Sequence, residues 1–251
     1  MLRHRVIPLV LLDGYSVVKT IRFDVRRNLG SPITVARVYN RRNVDELILL
    51  DIDASKEGRG IDFHTVETVA AECFMPLTVG GGLKTCGDIA RTLAAGADKV
   101  SLNTAIFENR DLLKESVAMF GSQCIIASVD IKKDGQGRFA LYSHSGKDVT
   151  MTVEECFDLL MASNVGEVLI NNVDLDGVMN GYDFDLISYV TRYIKNIPVI
   201  VAGGASGPSD CSRAVRCGAS AVSAASIFHF TSYTPRNCKE DMAVAGVPVR
   251  L

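Results

Sequence analysis

The sequence lacks a block of basic residues, a long apolar run and closely paired cysteines, and each absence excludes a class of protein. Its 27 lysines and arginines stand against 29 aspartates and glutamates, a net charge of −2, so we expect no nucleic-acid partner. The longest apolar run, residues 6–12, ends at Asp13 and is far shorter than the roughly 20 residues that cross a bilayer. We therefore expect no membrane segment, and we predict that residues 6–12 form a buried strand.

The seven cysteines are scattered along the chain, with no C-x-x-C pair and no histidines at ligand spacing. This pattern disfavours a disulfide framework and a zinc site and is typical of a reduced compartment. With 47% hydrophobic and 22% charged residues, the chain has enough apolar surface to fold on its own. We expect a cytoplasmic protein with no metal and no cofactor.

Eight short aliphatic runs alternate with amphipathic segments along the 251 residues. Continuous apolar strands followed by helices are typical of a parallel sheet that is buried on both faces. Eight such units in this length predict one (β/α)₈ barrel domain over residues 1–251. The predicted strands are 6–12, 46–50, 76–79, 99–102, 123–129, 167–170, 198–202 and 221–225.

The two halves of the sequence resemble each other at an offset of about 120 residues, well beyond a solenoid period. The motif VGGG at 79–82 returns as VAGG at 201–204, and Glu46 returns as Glu167. The sequence therefore predicts two half-barrels of four units each, at about 1–120 and 121–251.

Glycines follow the third and seventh predicted strands, on the face where barrels bind their substrates. Glycine lets backbone N–H groups approach an anion closely, and nearby helix starts favour phosphate. A tight turn alone would explain one such pair of glycines. Two glycine pairs at symmetric positions instead favour two phosphate sites that bind one phosphorylated small molecule. The candidate residues are Gly81, Gly82, Asn103, Thr104, Gly203, Gly204, Ala225 and Ser226.

Other polar residues follow strands on the same face. Asp130 comes after the fifth strand and is a candidate general acid or base, although a solvated turn residue fits equally well. Asp176 and Gly177 follow the sixth strand, where simple turn chemistry is the other interpretation. Lys19, in the predicted loop after the first strand, could reach a phosphate, but a solvated lysine fits that position better. The four histidines are dispersed and are expected to be packing or surface residues.

Longer motifs resemble one family over nearly the whole chain. They include VGGGL at 79–83, GADKVS at 96–101, DG at 176–177, GYD at 181–183 and VRL at 249–251. These segments are similar to the cyclase (synthase) subunit of imidazole glycerol phosphate synthase. The resemblance implies that a glutaminase partner releases ammonia, which passes through the barrel to a nucleotide with two phosphates. The products would be imidazole glycerol phosphate, for histidine synthesis, and the purine precursor AICAR.

The same resemblance implies that a charged ring forms the ammonia entrance at the N-terminal end of the barrel. Arg5, Glu46, Lys99 and Glu167 occupy those positions. Without the resemblance, such charges could simply pair at the end of the fold that is normally important for stability. The chain has no glutaminase signature of its own, so a glutaminase subunit would dock on the N-terminal face.

The sequence also departs from the family pattern. The family has two catalytic aspartates, at the ends of strands 1 and 5; Asp130 matches the second, while Leu11 takes the place of the first. Asp13 lies two residues further on, and Asp53 stands where the family usually has threonine. These changes resemble a paralogous branch linked to surface-polysaccharide (O-antigen) genes, where ammonia helps to build an amidino group on a nucleotide-linked acetamido sugar.

Three hypotheses follow from that resemblance. The chain serves sugar amidation, with a third, sugar-amidating protein as a possible partner. Alternatively, it is an ordinary histidine-pathway cyclase in which Asp13 replaces the lost acid. In the third hypothesis it is a non-catalytic scaffold that conducts ammonia.

Overall fold

The computed structural model describes residues 3–146 and 149–251. Within them, eight parallel strands form a barrel that is closed because the last strand pairs with the first. The strands, including three that are antiparallel additions, are β1 (Arg5–Asp13), β2 (Ser16–Ile21), β3 (Val25–Gly30), β4 (Leu47–Asp51), β5 (Leu77–Gly80), β6 (Lys99–Leu102), β7 (Ile125–Lys133), β8 (Phe139–Tyr142), β9 (Glu167–Asn172), β10 (Val199–Ala202) and β11 (Ala221–Ala224).

Helices follow the barrel strands and cover the outside of the sheet. They are α1 (Pro32–Arg41), α2 (Phe63–Ala70), α3 (Cys86–Ala94), α4 (Thr104–Glu108), α5 (Asp111–Phe120), α6 (Val153–Ser163), α7 (Phe184–Tyr193), α8 (Pro208–Arg216), α9 (Ser226–Phe230) and α10 (Pro235–Val244). The predicted (β/α)₈ barrel is therefore confirmed. No helix of the described ranges is long and apolar enough to cross a membrane.

Each predicted barrel strand is present, but some strands begin or end at other residues than predicted. β1 extends from Arg5 to Asp13, one residue beyond the prediction at each end. β7 extends to Lys133, four residues past the predicted end, because it continues above the barrel and pairs with β8. Asp130 therefore lies within a strand and does not close it.

The structure adds a hairpin that the sequence did not reveal. Asp13 pairs with Ser16 across a two-residue turn, in which Gly14 has a φ of +63°, and β2 then pairs with β3. Most of β3 is exposed, so it lacks the apolar alternation by which strands are recognised. The segment after β1 is consequently a strand and not a loop.

Alternate residues of the barrel strands point inward and fill the barrel, while the others pack beneath the helices, as the period of two requires. On β1 the inward set includes Ile7, Leu9 and Leu11, whereas Val6 and Val10 pack in the outer core. The barrel interior contains both apolar and hydroxyl side chains. Its other buried apolar residues are Ile48, Ile126, Leu169, Ile200, Ala202, Ala221 and Ala225. Their register partners Thr78, Ser101, Ser128 and Ser223 are buried there too.

The two ends of the described chain meet beside the first strand. The N–H of His4 donates to the carbonyl of Pro248 at 2.8 Å, and His4 forms an isolated parallel bridge with Val249. The segment after α10 is thereby fixed next to the start of β1.

Candidate active site

A cavity of ≈ 110 Å³, called the main cavity here because most of the strand-end residues line it, lies at the carboxyl ends of the barrel strands. Parallel strands bring the residues at their ends to one face, which is where barrel enzymes bind substrates. Its lining includes an apolar group, Leu9, Leu11 and Leu50, and a polar group that contains Asp130 and Asn103. The cavity therefore combines an apolar surface with a small set of convergent polar groups, as ligand sites do.

Asp130 is buried and is held by two amides. Asn103 Nδ2 donates to its Oδ2 at 2.9 Å, and Asn171 Nδ2 donates to its Oδ1 at 3.2 Å. Burial raises the pKa of Asp130 to about 6, although the hydrogen bonds from Asn171 and Asn103 oppose that rise. The interpretation of Asp130 as a solvated turn residue was wrong, because only 8% of the residue is exposed. A carboxyl group with this pKa can gain and lose a proton near neutral pH.

Leu11 occupies the position in the first half-barrel that Asp130 occupies in the second. In the strand register, Leu11 pairs with Leu50 of β4, while Asp130 pairs with Asn171 of β9. Asp13 does not line the main cavity; its side chain is 41% exposed and bonds to Arg26 at 2.7 Å. The first half-barrel thus presents an apolar surface where the second presents a carboxyl group.

Lys19 is buried in β2, with 3% exposure, so the expectations of a loop position and a solvated side chain were both wrong. Its Nζ lies 2.7 Å from Oδ1 of Asp176, and Thr20 Oγ1 donates to the other carboxylate oxygen at 2.6 Å. Gly177 is required beside them, because its φ is +72° and a Cβ there would lie 2.1 Å from the carbonyl oxygen of Thr20. The β2–β3 hairpin is therefore fixed against the loop after β9.

The two glycine loops make the same close approach in each half-barrel. A Cβ on Gly81 would lie 2.4 Å from the carbonyl oxygen of Asp51, and one on Gly203 would lie 2.5 Å from that of Asn172. Their φ values are +120° and +87°, a region that favours glycine. Each loop packs against the end of the preceding barrel strand, so the backbone itself forms the surface there.

The first loop lines the main cavity and the second lines a smaller cavity of ≈ 20 Å³. Ser226 Oγ is buried in the second and has no hydrogen-bond partner among the described residues. Such a group costs stability unless a ligand or water satisfies it. The predicted residues divide between the cavities: Gly81, Gly82, Asn103, Thr104 and Asp176 line the first, and Lys19, Asp176, Gly177, Gly203, Gly204, Ala225 and Ser226 line the second.

A ring of four charged side chains closes the opposite, N-terminal end of the barrel. Arg5 bonds to Glu46 at 2.5 Å and also to Glu167, while Lys99 lies 3.0 Å from Glu46 and 2.7 Å from Glu167. Each cation therefore contacts both anions. Burial alone would raise the pKa of Glu167, but hydrogen bonds and charges from Arg5 and Lys99 hold that pKa below its ordinary value.

The sequence did not reveal two residues of the main cavity, Asn171 and His144. Asn171 continues an apolar strand, and only the register with β7 shows that it reaches Asp130. His144 lies after β8, a strand that was not predicted. Asp53, in contrast, was singled out; it is bound by Arg26 through Oδ1 at 2.6 Å and through Oδ2. That hydrogen bonding lowers the pKa of Asp53.

The described residues contain no group of three histidine, cysteine, aspartate or glutamate side chains that could hold a metal ion.

Residues 5–234 match the histidine biosynthesis protein family. The chain belongs to this family. Its barrel is the fold of that family, and it is 42% identical over 252 residues to imidazole glycerol phosphate synthase subunit HisF of Dictyoglomus thermophilum, with both chains fully covered. The HisF subunit of Caulobacter vibrioides is 43% identical over 255 residues, covering this whole chain and 97% of its own length.

A further histidine biosynthesis relative comes from Campylobacter jejuni serotype O:2 and is provisionally named imidazole glycerol phosphate synthase subunit hisF2. It is 45% identical over 251 residues, with both chains fully covered. These relatives place the chain with the HisF-type cyclase subunits.

Proposed function

We propose that this chain is the ammonia-accepting subunit of a glutamine amidotransferase of the imidazole glycerol phosphate synthase type. We propose further that it is a paralogue that serves amidino-sugar formation in surface-polysaccharide synthesis. One observation carries this proposal: the charged ring is complete, whereas Leu11 leaves one of the two symmetric acid positions apolar. The ammonia route is kept, and the cyclase chemistry is altered.

The ring and the barrel interior suit the passage of ammonia. Arg5 and Lys99 bond to both glutamates at the end of the barrel. Beyond them the interior holds apolar side chains such as Ile7, Ile48 and Leu9, together with uncharged hydroxyl groups such as those of Thr78 and Ser223. Neutral NH₃ crosses an apolar passage at a much lower desolvation cost than a charged ammonium ion does. A ring that opens would therefore admit ammonia while the interior excludes ions.

The N-terminal face is suited to bind a glutaminase subunit. Segments that lead from a helix into the next strand lie at this face, and three of them expose large apolar side chains. Phe74 precedes β5 and is 84% exposed, Met119 near the end of α5 is 64% exposed, and Val244 at the end of α10 is 91% exposed. Apolar side chains around the ammonia entrance favour a protein partner there.

At the opposite face, the glycine loops support a ligand with two phosphates. Gly81 and Gly203 make equivalent backbone approaches in the two half-barrels, and both loops border cavities that share Leu9 and Asp176. Adjoining cavities allow one long molecule to place a phosphate in each loop. The nucleotide of the histidine pathway and a nucleotide-linked sugar both carry phosphate, so the loops fit either acceptor.

The histidine-pathway alternative has less support, because it needs Asp13 to replace the acid. The carboxylate of Asp13 is bound by Arg26 and lies outside the cavity lining. The scaffold alternative also has less support, since Asp130 retains a pKa of about 6 beside an open cavity, as proton-transfer groups do.

Two measurements test the proposal. The purified protein is mixed with an ammonium salt and the two-phosphate nucleotide of the histidine pathway, and turnover is expected to be negligible. Deleting the gene in the source organism should remove amidino groups from the surface polysaccharide without creating a histidine requirement. Turnover at the rate of a HisF control, together with histidine auxotrophy of the deletion strain, would instead assign the chain to the histidine pathway.

A further inference from the structure

Two of the four titratable side chains described in the lining of the main cavity are already engaged by a cation. Asp51 bonds to Arg59 at 2.5 Å, and Asp176 bonds to Lys19 at 2.7 Å. Among the titratable residues described in the lining, only Asp130 and His144 have no hydrogen bond to a charged group. The cavity therefore contains one carboxyl group and one imidazole that are free to exchange protons.

His144 lies on the side of the cavity where Leu11 stands. β8, which precedes His144, pairs with β7, and β7 is four strands away from β1 around the eight-stranded barrel. The chain after β8 nevertheless brings the His144 ring against Phe23 of the β2–β3 turn, with ring centroids 5.6 Å apart. His144 Nε2 also lies 4.0 Å from Asp53, in the segment after β4. The second half-barrel thus supplies a titratable group to the first.

The His144 imidazole lacks partners within the described structure. Both ring nitrogens are buried and neither forms a hydrogen bond there. A neutral imidazole has one donor and one acceptor, and leaving a buried polar group unsatisfied costs about 1–3 kcal/mol. Phe23 packs edge-on against the ring from a turn in which Phe23 has a φ of +61°, a strained backbone for a bulky residue. The imidazole is therefore held in place in the lining of the cavity, with its hydrogen-bonding capacity unused.

We propose that His144 contacts the bound acceptor and forms, with Asp130, a proton-transfer pair across the main cavity, in place of the carboxylate that Leu11 does not supply. This inference rests on the proposed function, which provides the ammonia. The ammonia lone pair forms a C–N bond at an electrophilic carbon of the phosphorylated acceptor. The π electrons of that carbon move to its oxygen or nitrogen, which takes the proton of Asp130.

His144 then removes one proton from the newly bonded nitrogen. The step leaves a neutral amine adduct, an imidazolium on His144 and a carboxylate on Asp130. Solvent returns the proton from His144 to Asp130 before the next turnover, so the pair is regenerated without a further reactant.

The electrostatic surroundings of both groups suit these roles. Burial lowers the pKa of His144 below its ordinary value of 6.5; Asp53 opposes this shift, whereas Lys56 and Arg26 reinforce it. Burial also raises the pKa of Asp130 to about 6, the amides of Asn171 and Asn103 oppose the rise, and the charge of Asp176 adds to it. Near pH 6 about half of the Asp130 carboxyl groups are therefore protonated, and the lowered pKa of His144 favours its neutral imidazole, as an acceptor and donor pair requires.

The test measures binding of two probes, imidazole glycerol phosphate and AICAR, by isothermal titration between pH 5 and 8. The variants are His144→Gln, which keeps a hydrogen-bonding group, and His144→Phe, which keeps the ring shape. The matched control is His229→Gln: burial lowers the pKa of His229 to about 4, but it packs against Tyr39 and lines neither cavity.

We expect at least one probe to bind about tenfold more weakly to His144→Phe, the value of one hydrogen bond, and to keep most of its affinity for His144→Gln. Its wild-type affinity should change more steeply with pH below 6.5 than its affinity for His144→Gln, in which Asp130 titrates without the imidazole, and His229→Gln should keep the wild-type pH dependence. Equal affinities and equal pH dependence in all proteins would overturn the inference and leave the proposed function standing. Failure of both probes to bind the wild-type protein would also overturn this inference, whereas the proposed function, whose acceptor is a nucleotide-linked sugar, would stand.

Discussion

The two half-barrels keep the same backbone at their glycine loops but carry different side chains at the ends of their first strands. Gly81 and Gly203 approach the preceding strand within 2.4 and 2.5 Å of a hypothetical Cβ. At the equivalent strand positions, however, Leu11 faces an apolar neighbour and Asp130 faces an amide. The close backbone approach is thus common to both halves, whereas the carboxyl group is present in only one.

The N-terminal end of the barrel shows a second inequality. Each half contributes one glutamate to the ring, but both cations, Arg5 and Lys99, come from the first half. In the strand register, Arg5 lies opposite Ala221, and Lys99 lies one residue before the Val100 that pairs with Ile125. The second half therefore contributes charge to the ring only through its glutamate.

The largest expected effect comes from making the halves alike at the acid position. General acid–base catalysis contributes about 10²- to 10⁴-fold, so Leu11→Asp should raise turnover of the two-phosphate nucleotide with ammonium by about a hundredfold or more. Steady-state kinetics measure it, and Leu11→Asn, which is polar but does not titrate, should stay at the wild-type level. A wild-type rate that already matches Leu11→Asp and collapses in Asp13→Ala would show that Asp13 serves as the acid.

The next largest effect concerns Asp130, the carboxyl group that only the second half-barrel has, and the pH dependence of the free energy of unfolding. The folded pKa of Asp130 is about 6 and its ordinary value is 3.8, so between these values the folded state holds a proton that the unfolded chain has lost. Stability should therefore fall as pH rises from about 4 to about 6, by up to about 3 kcal/mol.

Asp130→Asn should remove that fall. Urea unfolding of wild type and variant at pH 4.5 and 7.5 measures the difference, with the exposed Asp24→Asn as the control that should keep the wild-type slope. Equal pH slopes in wild type and Asp130→Asn would contradict the raised pKa.

A third prediction addresses the unequal ring. In the Leu11→Asp background with a glutaminase partner, Lys99→Ala should lower the ratio of product formed to glutamine hydrolysed several-fold, while activity with free ammonium remains. Glu46→Ala should act in the same direction, because it removes one of the two anions that contact both cations. Cys124→Ala, an uncharged residue immediately before the start of β7 at the same end of the barrel, is the control. Unchanged ratios in both charge variants would remove the ammonia passage from the proposal.

The smallest expected effect tests whether both glycine loops bind phosphate. Ser226→Ala at the second loop and Thr104→Ala at the first should each weaken binding of inorganic phosphate about fivefold, the value of one hydrogen bond. Isothermal titration measures the affinity, and crystals soaked in phosphate locate the sites. Density at only one glycine loop, or at neither, would defeat the two-site hypothesis.

The barrel could be predicted from sequence because each of its strands is a continuous apolar run followed by an amphipathic helix. The half-barrel repeat also predicted that positions such as Glu46 and Glu167 are equivalent in the two halves. The hairpin β2–β3 could not be predicted, since β3 is exposed and carries no apolar alternation. Strand ends were also uncertain, because β7 continues into a ladder with β8 that extends above the barrel.

The candidate site was predictable only close to the carboxyl ends of the barrel strands. The glycine loops follow two of these ends, and Asp130 lies near the end of β7, so both were identified. The burial of Lys19 was not, because its partner Asp176 is 157 residues away in the chain. The position of His144 in the site could not be predicted for a similar reason. It depends on contacts with Phe23 and Asp53, which belong to the other half of the chain.

The bridge between His4 and Val249 gives the chain the connectivity of a ring. β11 pairs with β1 in the same parallel way as the other neighbouring barrel strands pair with each other. Both described ends also lie side by side. The barrel geometry therefore does not require the chain to begin at β1 and not at another strand. A circularly permuted chain that starts near Ser122 and joins the present ends by a short linker would preserve every strand neighbour. In such a chain Asp130 would lie in the N-terminal half and Leu11 in the C-terminal half. Its folding would show whether the order in which the halves are synthesised matters, apart from their sequences.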